Sequence, residues 1–177
     1  ILSVEDDMES ILYDWYAVEG KIFRMGSGSG LSVSKLRSSK ETLSKGGVAS
    51  GPVSFMQGAD GIANSIKSGG RTRRAAKMVV LDADHPDIKD FIYCKKITEY
   101  MAKALAQTGQ YYTSIEGKLF SIYTTLPFQN ANNSVRVTDE FMENVLKDEE
   151  WELKARTTGE TLEKVKAEIK REILQEF

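Results

Sequence analysis

The chain has 177 residues, of which 41% are apolar and 28% charged, the ordinary proportions of one globular domain with a real core. A formal net charge of −2 argues against a general nucleic-acid binder, and no apolar run approaches the roughly 20 residues that span a bilayer. A single cysteine, Cys94, excludes an internal disulfide and fits a reducing cytoplasm, and no signal peptide is visible.

Ile1 to Val4 reads as a short buried strand. An acidic turn follows, Glu5-Asp6-Asp7, and then Met8, Ile11, Leu12 and Trp15 at helical spacing. Acids just before a helix cap it and favour its positive end, so capping alone would explain Asp6 and Asp7. Gly26, Gly28 and Gly30 alternate with other residues before Leu31 to Leu36, but the third glycine of the dinucleotide fingerprint is missing. Gly46-Gly47 and Ser50-Gly51-Pro52 mark a loop. Phe55, Met56, Ala59, Ile62, Ala63 and Ile66 give a helical face, and Met78 to Leu81 suits a strand buried on both faces.

Asp84-His85-Pro86-Asp87 reads as a helix start, with Ile88, Phe91 and Ile92 as its apolar stripe. The lone His85 has no Cys or His neighbours of metal-site spacing and belongs to this turn, while Cys94 reads as a packed thiol. Residues 107–130 show no clear period. Ser134 to Val137 reads as a strand, and Thr138 as the cap of a helix with Phe141, Met142, Val145 and Leu146 inward. Trp151 to Leu153 reads as another strand. Leu162, Val165, Ile169 and Ile173 predict a terminal helix over 159–177. Strand and helix alternate, which predicts an α/β fold with its site on loops at the strand carboxyl ends. The strands are too few to close a barrel. The missing initiator methionine and the uncapped charged end fit a single partial domain, residues 1–177, of a longer protein.

The strongest local chemistry lies between Ser65 and Leu81. Lys67, Arg71, Arg73, Arg74 and Lys77 surround a Gly69-Gly70 turn with no acid among them. Glycine loops free backbone N–H groups and guanidinium forks match phosphate oxygens, so the stretch suits a polyphosphate. A solvated basic turn before a strand would look the same. A single-stranded nucleic-acid binder is disfavoured, because residues 65–77 hold no aromatic on which a base could stack.

Five segments in order resemble one family. They are Gly28-Ser29-Gly30-Leu31-Ser32-Val33-Ser34-Lys35-Leu36-Arg37; Gly46 to Met56; Ser68-Gly69-Gly70-Arg71-Thr72-Arg73-Arg74-Ala75-Ala76-Lys77; Asp84-His85-Pro86-Asp87-Ile88; and Gln129-Asn130-Ala131-Asn132-Asn133-Ser134-Val135-Arg136-Val137. Together they resemble the large catalytic subunit of ribonucleotide reductase, most closely its class II, adenosylcobalamin-dependent branch. The resemblance implies part of a ten-stranded α/β barrel, incomplete in this fragment, from an enzyme that makes deoxyribonucleotides by thiyl-radical chemistry. It implies that the reactive cysteines lie outside residues 1–177, one just before Ile1 and the thiyl cysteine beyond Phe177, so the segment holds no catalytic residue and no metal ligand.

By the same resemblance, Asp6, with Asp7 and Met8 beside it, falls where an acid accepts a hydrogen bond from the deoxyribose of a dNTP or ATP effector, and Arg37 where an arginine meets the effector phosphates. Lys67, Ser68, Gly69, Gly70, Arg71, Thr72, Arg73 and Arg74 match the specificity loop that links effector to substrate, and Gly28 falls near the ribonucleotide substrate. A homodimer, a thioredoxin-like reductant and a cytoplasmic location are implied for the parent, with no nucleic-acid or membrane partner. Two alternatives remain open: a nucleotide-binding module without chemistry of its own, and the iron-dependent class I large subunit.

Overall fold

A computed structural model describes residues 1–66, 76–113 and 121–166. The expected specificity loop, Lys67 to Arg74, and the last eleven residues of the expected terminal helix lie outside the described residues. Three strands, β1 (Ser29–Ser32), β2 (Lys77–Asp82) and β3 (Ala131–Arg136), form a parallel sheet in sequence order. Leu2 adds a parallel bridge to Leu31 on the outer side of β1. Sequential order means that each crossover steps the same way, as in a barrel; a doubly wound sheet would reverse direction. The crossovers carry a π-helical stretch (Ser10–Ala17) running into α1 (Val18–Arg24), then α2 (Gly51–Ser65), then α3 (Ile88–Gln107). A single turn, α4 (Ile122–Thr125), precedes β3. Among the described residues no helix is long and apolar enough to cross a membrane.

The helices cover one face of the sheet. Val79 and Leu81 of β2 are fully buried there with Leu31, Val33, Leu36, Trp15, Met56, Ile88 and Phe91. Removing a side chain of this size from water contributes about 1.5–3 kcal/mol. Met78, between them, points to the other face and is 47% exposed. The strand is therefore buried on one face here, not on both as its unbroken apolar run suggested. An incomplete barrel leaves its inner face open in this way.

Several expectations change for physical reasons. Ile1 to Val4 makes one bridge rather than a full strand, although Val4 is buried. Ser10–Ala17 winds as a π-helix, whose wider turn buries Ser10, Ile11 and Trp15 but leaves Met8 and Leu12 exposed. Thr138 does cap α5 (Asp139–Lys147), its hydroxyl accepting from the Phe141 amide. Of the four inward residues expected there, only Phe141 is fully buried; Met142 and Leu146 are exposed. The terminal helix expected over 159–177 is corrected at its start: Thr161–Val165 is a strand, β5, antiparallel to β4 (Trp151–Lys154). Gly159 at φ 73° turns the chain, and cross-strand pairing buries Val165 opposite Trp151, which outweighs the local helical period.

At the amino ends of the strands a charged pair is fully enclosed. Lys77 Nζ lies 3.0 Å from Glu19 Oε2, and neither side chain is exposed. Glu19 also accepts from Ser29 Oγ at 2.6 Å and from Trp15 Nε1 at 3.3 Å, while Lys77 sits over the Trp15 ring. A buried ion pair adds little over a hydrophobic pair, but breaking one strands a charge. Lys77→Met should thus cost about 3–5 kcal/mol of stability, and adding Glu19→Leu should return most of it. Urea denaturation of the two variants is the check; a single-variant loss below about 1 kcal/mol would contradict this account.

Candidate functional site

The carboxyl ends of the strands converge on a cavity of about 510 Å³. Its wall includes Asp6 from the opening turn, Ser34 and Lys35 after β1, Asp82 at the end of β2, Arg136 at the end of β3, and Arg156 from the β4–β5 turn. Each cation is matched. Lys35 is paired with Glu5. Arg136 forks onto Asp82 with two bonds of 2.7 Å, which pushes its already high pKa further up. Arg156 forks onto Asp84 at 2.6 and 3.2 Å. Its Nε is buried with no partner among the described residues.

Asp6 and Arg37, expected to act together, are in contact 31 residues apart. Asp6 Oδ1 accepts from the Arg37 amide at 2.9 Å and Oδ2 from Arg37 Nε at 2.6 Å. The two terminal guanidinium nitrogens of Arg37 have no hydrogen-bond partner among the described residues. Asp7 does what a helix cap does: its Oδ1 accepts from the Ser10 amide. Met8 is exposed. Gly28 lies elsewhere. It precedes β1, where a Cβ would stand 3.0 Å from the Ala76 carbonyl oxygen. It is separated from the Ser32 end of that strand by about 13 Å, four residues at roughly 3.3 Å each. The expected effector and substrate residues therefore occupy opposite ends of the sheet.

The segment that carries Arg37, residues 36–41, has no regular structure, and side chains from distant parts of the chain hold it. The Leu36 carbonyl accepts from His85 Nε2 at 2.9 Å. Asp87 accepts from Ser38 Oγ at 2.5 Å, Ser39 N at 2.9 Å and Ser39 Oγ at 3.0 Å. Lys40 Nζ donates to the Pro86 carbonyl and to Glu163. Glu41 accepts from Ser38 N at 2.7 Å, Arg156 N at 3.1 Å, Thr157 N at 3.0 Å and Thr157 Oγ1 at 2.6 Å. Gly51 is required beside this network. Its φ is 77°, and a Cβ there would come within 2.4 Å of Asp87 Oδ2.

Glu41 and Thr157 have no role that the residue pattern predicts, and Asp87 is expected only as part of a helix start. One signal was present: Ser38-Ser39-Lys40-Glu41 has the S-x-x-E spacing of a capping box, and the Glu41-to-Ser38 amide bond is its return contact. His85 does belong to the turn, fully buried, with Nδ1 accepting from the Asp87 amide at 3.0 Å. Burial holds its pKa below the ordinary value, and Arg156 adds to this against the opposing carboxylates of Asp87 and Asp84. Cys94 is buried and its thiol pushed up by burial, away from the thiolate form.

Sequential parallel strands, helices on one face and a charged cavity at the carboxyl ends define a segment of an α/β barrel that holds its polar site on the loops after the strands. The family model for the ribonucleotide reductase barrel domain matches residues 1–177, and the chain belongs to that family. A vitamin B12-dependent ribonucleotide reductase of Streptomyces clavuligerus is 58% identical over 94% of this chain and 17% of its own length. The enzyme of that name from Rhodopirellula baltica is 47% identical over 92% of the chain and 15% of its own length. A vitamin B12-dependent ribonucleoside-diphosphate reductase of Mycobacterium tuberculosis is 43% identical over 54% of the chain and 14% of its own length. The chain thus spans about a sixth of the length of the curated relatives it matches.

Burial pushes the Glu41 carboxyl up, but the hydrogen bonds from Thr157, Ser38 and Arg156 outweigh it and hold the pKa below 4.5. A depressed carboxyl stabilises the fold fully above its unfolded pKa, and that stability is lost as pH falls through the folded value. His85, also depressed, stabilises fully above about 6.5 and less as pH falls below it. On acidification, NMR shifts of the Leu36–Arg37 amides should therefore follow His85 only below about pH 6.5, and that of the Thr157 amide should follow Glu41 only below about pH 4.5. Titration of either set above its limit would contradict the assignment.

Proposed function

We propose that this segment is the effector-binding part of a vitamin B12-dependent ribonucleotide reductase, an enzyme that converts ribonucleotides to deoxyribonucleotides. The observation that carries the effector reading is the Asp6–Arg37 pair at the strand carboxyl ends. Asp6 orients the guanidinium through Nε, leaving two parallel donors of the kind that phosphate oxygens accept bidentately. The outer lone pairs of Asp6 suit a sugar hydroxyl. The cavity beside them adds Lys35, Arg136 and Arg156, cations that a phosphate could share with their carboxylate partners.

The names of the relatives support B12 dependence for the parent and weigh against the iron-dependent alternative. The cofactor does not fit the residues described here. The only histidine, His85, is fully buried with both ring nitrogens engaged, so it is no cobalt ligand, and no step in this segment runs through the corrin. Cys94 is likewise unsuited to thiol chemistry, being buried and protonated. The purified 177-residue chain, supplied with adenosylcobalamin, a dithiol and a ribonucleotide, should form no deoxynucleotide; measurable product by chromatography would overturn this division of labour.

In the full-length parent, Arg37→Ala should weaken deoxynucleoside triphosphate binding by about ten- to a hundredfold, the loss of a charged hydrogen bond worth about 1.5–3 kcal/mol. The same calorimetry and turnover assays apply to Arg71→Ala in the basic loop, which should leave effector affinity and basal turnover standing while flattening the choice among bases. Unchanged affinity in Arg37→Ala removes that residue from the site. Intact base selection in Arg71→Ala returns the loop to a surface role.

A further inference from the structure

We propose that the turn of the β4–β5 hairpin is a positioning strap for the effector loop, with Thr157 and Glu41 setting how tightly effector is held. The proposal rests on the effector reading of Arg37 and extends it to residues that touch no ligand.

Arg37 stands between two residues that are tied down: the Leu36 carbonyl by His85, the Ser38 hydroxyl by Asp87, and the Ser38 amide by Glu41 at the far end of the loop, which the hairpin in turn holds. The loop has no ladder or helix of its own, so its shape follows from these bonds. Four hydrogen bonds come together on one buried carboxylate. Glu41 is 5% exposed and joins the Ser38 amide on the loop to the Arg156 and Thr157 amides and the Thr157 hydroxyl on the hairpin, 115 and 116 residues later. A second tie runs parallel: Glu163 of β5 holds Lys40 of the loop at 2.8 Å and Lys89 of α3 at 2.6 Å.

The hairpin is itself anchored to the sheet. Trp151 Nε1 donates to the Ala83 carbonyl at 3.1 Å, its ring meets Phe141 edge to face with centroids 5.0 Å apart, and the Lys154 amide donates to the Asp84 carbonyl. The strap therefore connects a rigid base to the one irregular loop that bears Arg37. Without it, ordering that loop becomes part of the cost of binding, and affinity falls while the free enzyme's chemistry does not change. Thr157 makes the sharpest probe, because its hydroxyl can be removed without changing the volume of the side chain.

In the full-length reductase, Thr157→Val should weaken deoxynucleoside triphosphate binding by about three- to tenfold, the effect of one hydrogen bond. Effector-free turnover and substrate KM should stay within about twofold, and Thr157→Ser, which keeps the hydroxyl, should restore affinity. Arg37→Ala is measured alongside. If Arg37→Ala weakens binding and Thr157→Val does not, the strap is overturned and the effector site stands. If effector-free turnover falls in step with affinity, or Thr157→Ser fails to rescue, Thr157 is a general stability residue and the strap is overturned. If Arg37→Ala leaves binding unchanged, the effector reading fails and takes the strap with it.

Discussion

A carboxylate removed from water costs several kcal/mol unless its lone pairs are met, and Asp87, only 2% exposed, has to meet that condition between two crossovers. It does so with two hydroxyls and an amide from Ser38 and Ser39. Its own amide is taken by His85, whose other nitrogen is spent on Leu36. Satisfying this one group fixes the residues on both sides of Arg37, places the start of α3, and forbids a side chain at Gly51. Glu41 repeats the arrangement from the other side of the loop. The loop owes its shape to buried acids, and the guanidinium it carries is the part left facing outward.

The two ends of the sheet differ in kind. At the amino end, Glu19 and Lys77 neutralise each other with no exposure to solvent, and Gly28 packs under a neighbouring carbonyl. That end is dry. At the carboxyl end the pairs are reachable: the Arg37 and Asp6 side chains are 31% and 26% exposed, and Arg136 is more open still. Exposed pairs contribute little to stability and exchange partners readily, which suits a place where an anion comes and goes. Enclosed pairs resist exchange and suit a place where the backbone must not move.

What could be read from the residues follows the range of the interactions. Local signals were legible: the Thr138 cap, the α2 and α3 faces, the β2 run, and the role of His85 in its turn. The nearness of Asp6 and Arg37 was expected only through the order of family motifs, since 31 residues separate the two, and their direct pairing was not anticipated. The β5 strand was hidden because Leu162 and Val165 also fit a helical period, and only Trp151, fourteen residues earlier, decides between them. The exposure of Met8 and Leu12 was hidden because a π-helix changes which residues share a face. Glu41 could have been found from the Ser38-x-x-Glu41 spacing, but its hairpin partners could not: no local pattern connects residue 41 to residue 157.

Among the described residues β3 pairs with no strand but β2; beyond the Ala131 carbonyl, which accepts from Lys95 Nζ, its far side has no strand to meet its backbone donors and acceptors. The face around Met78 adds apolar surface to the same region. In a closed barrel the next strand would occupy that edge. Until such a strand is in place, an edge of this kind is a template for any extended chain, another copy included, because strand addition meets the same backbone groups.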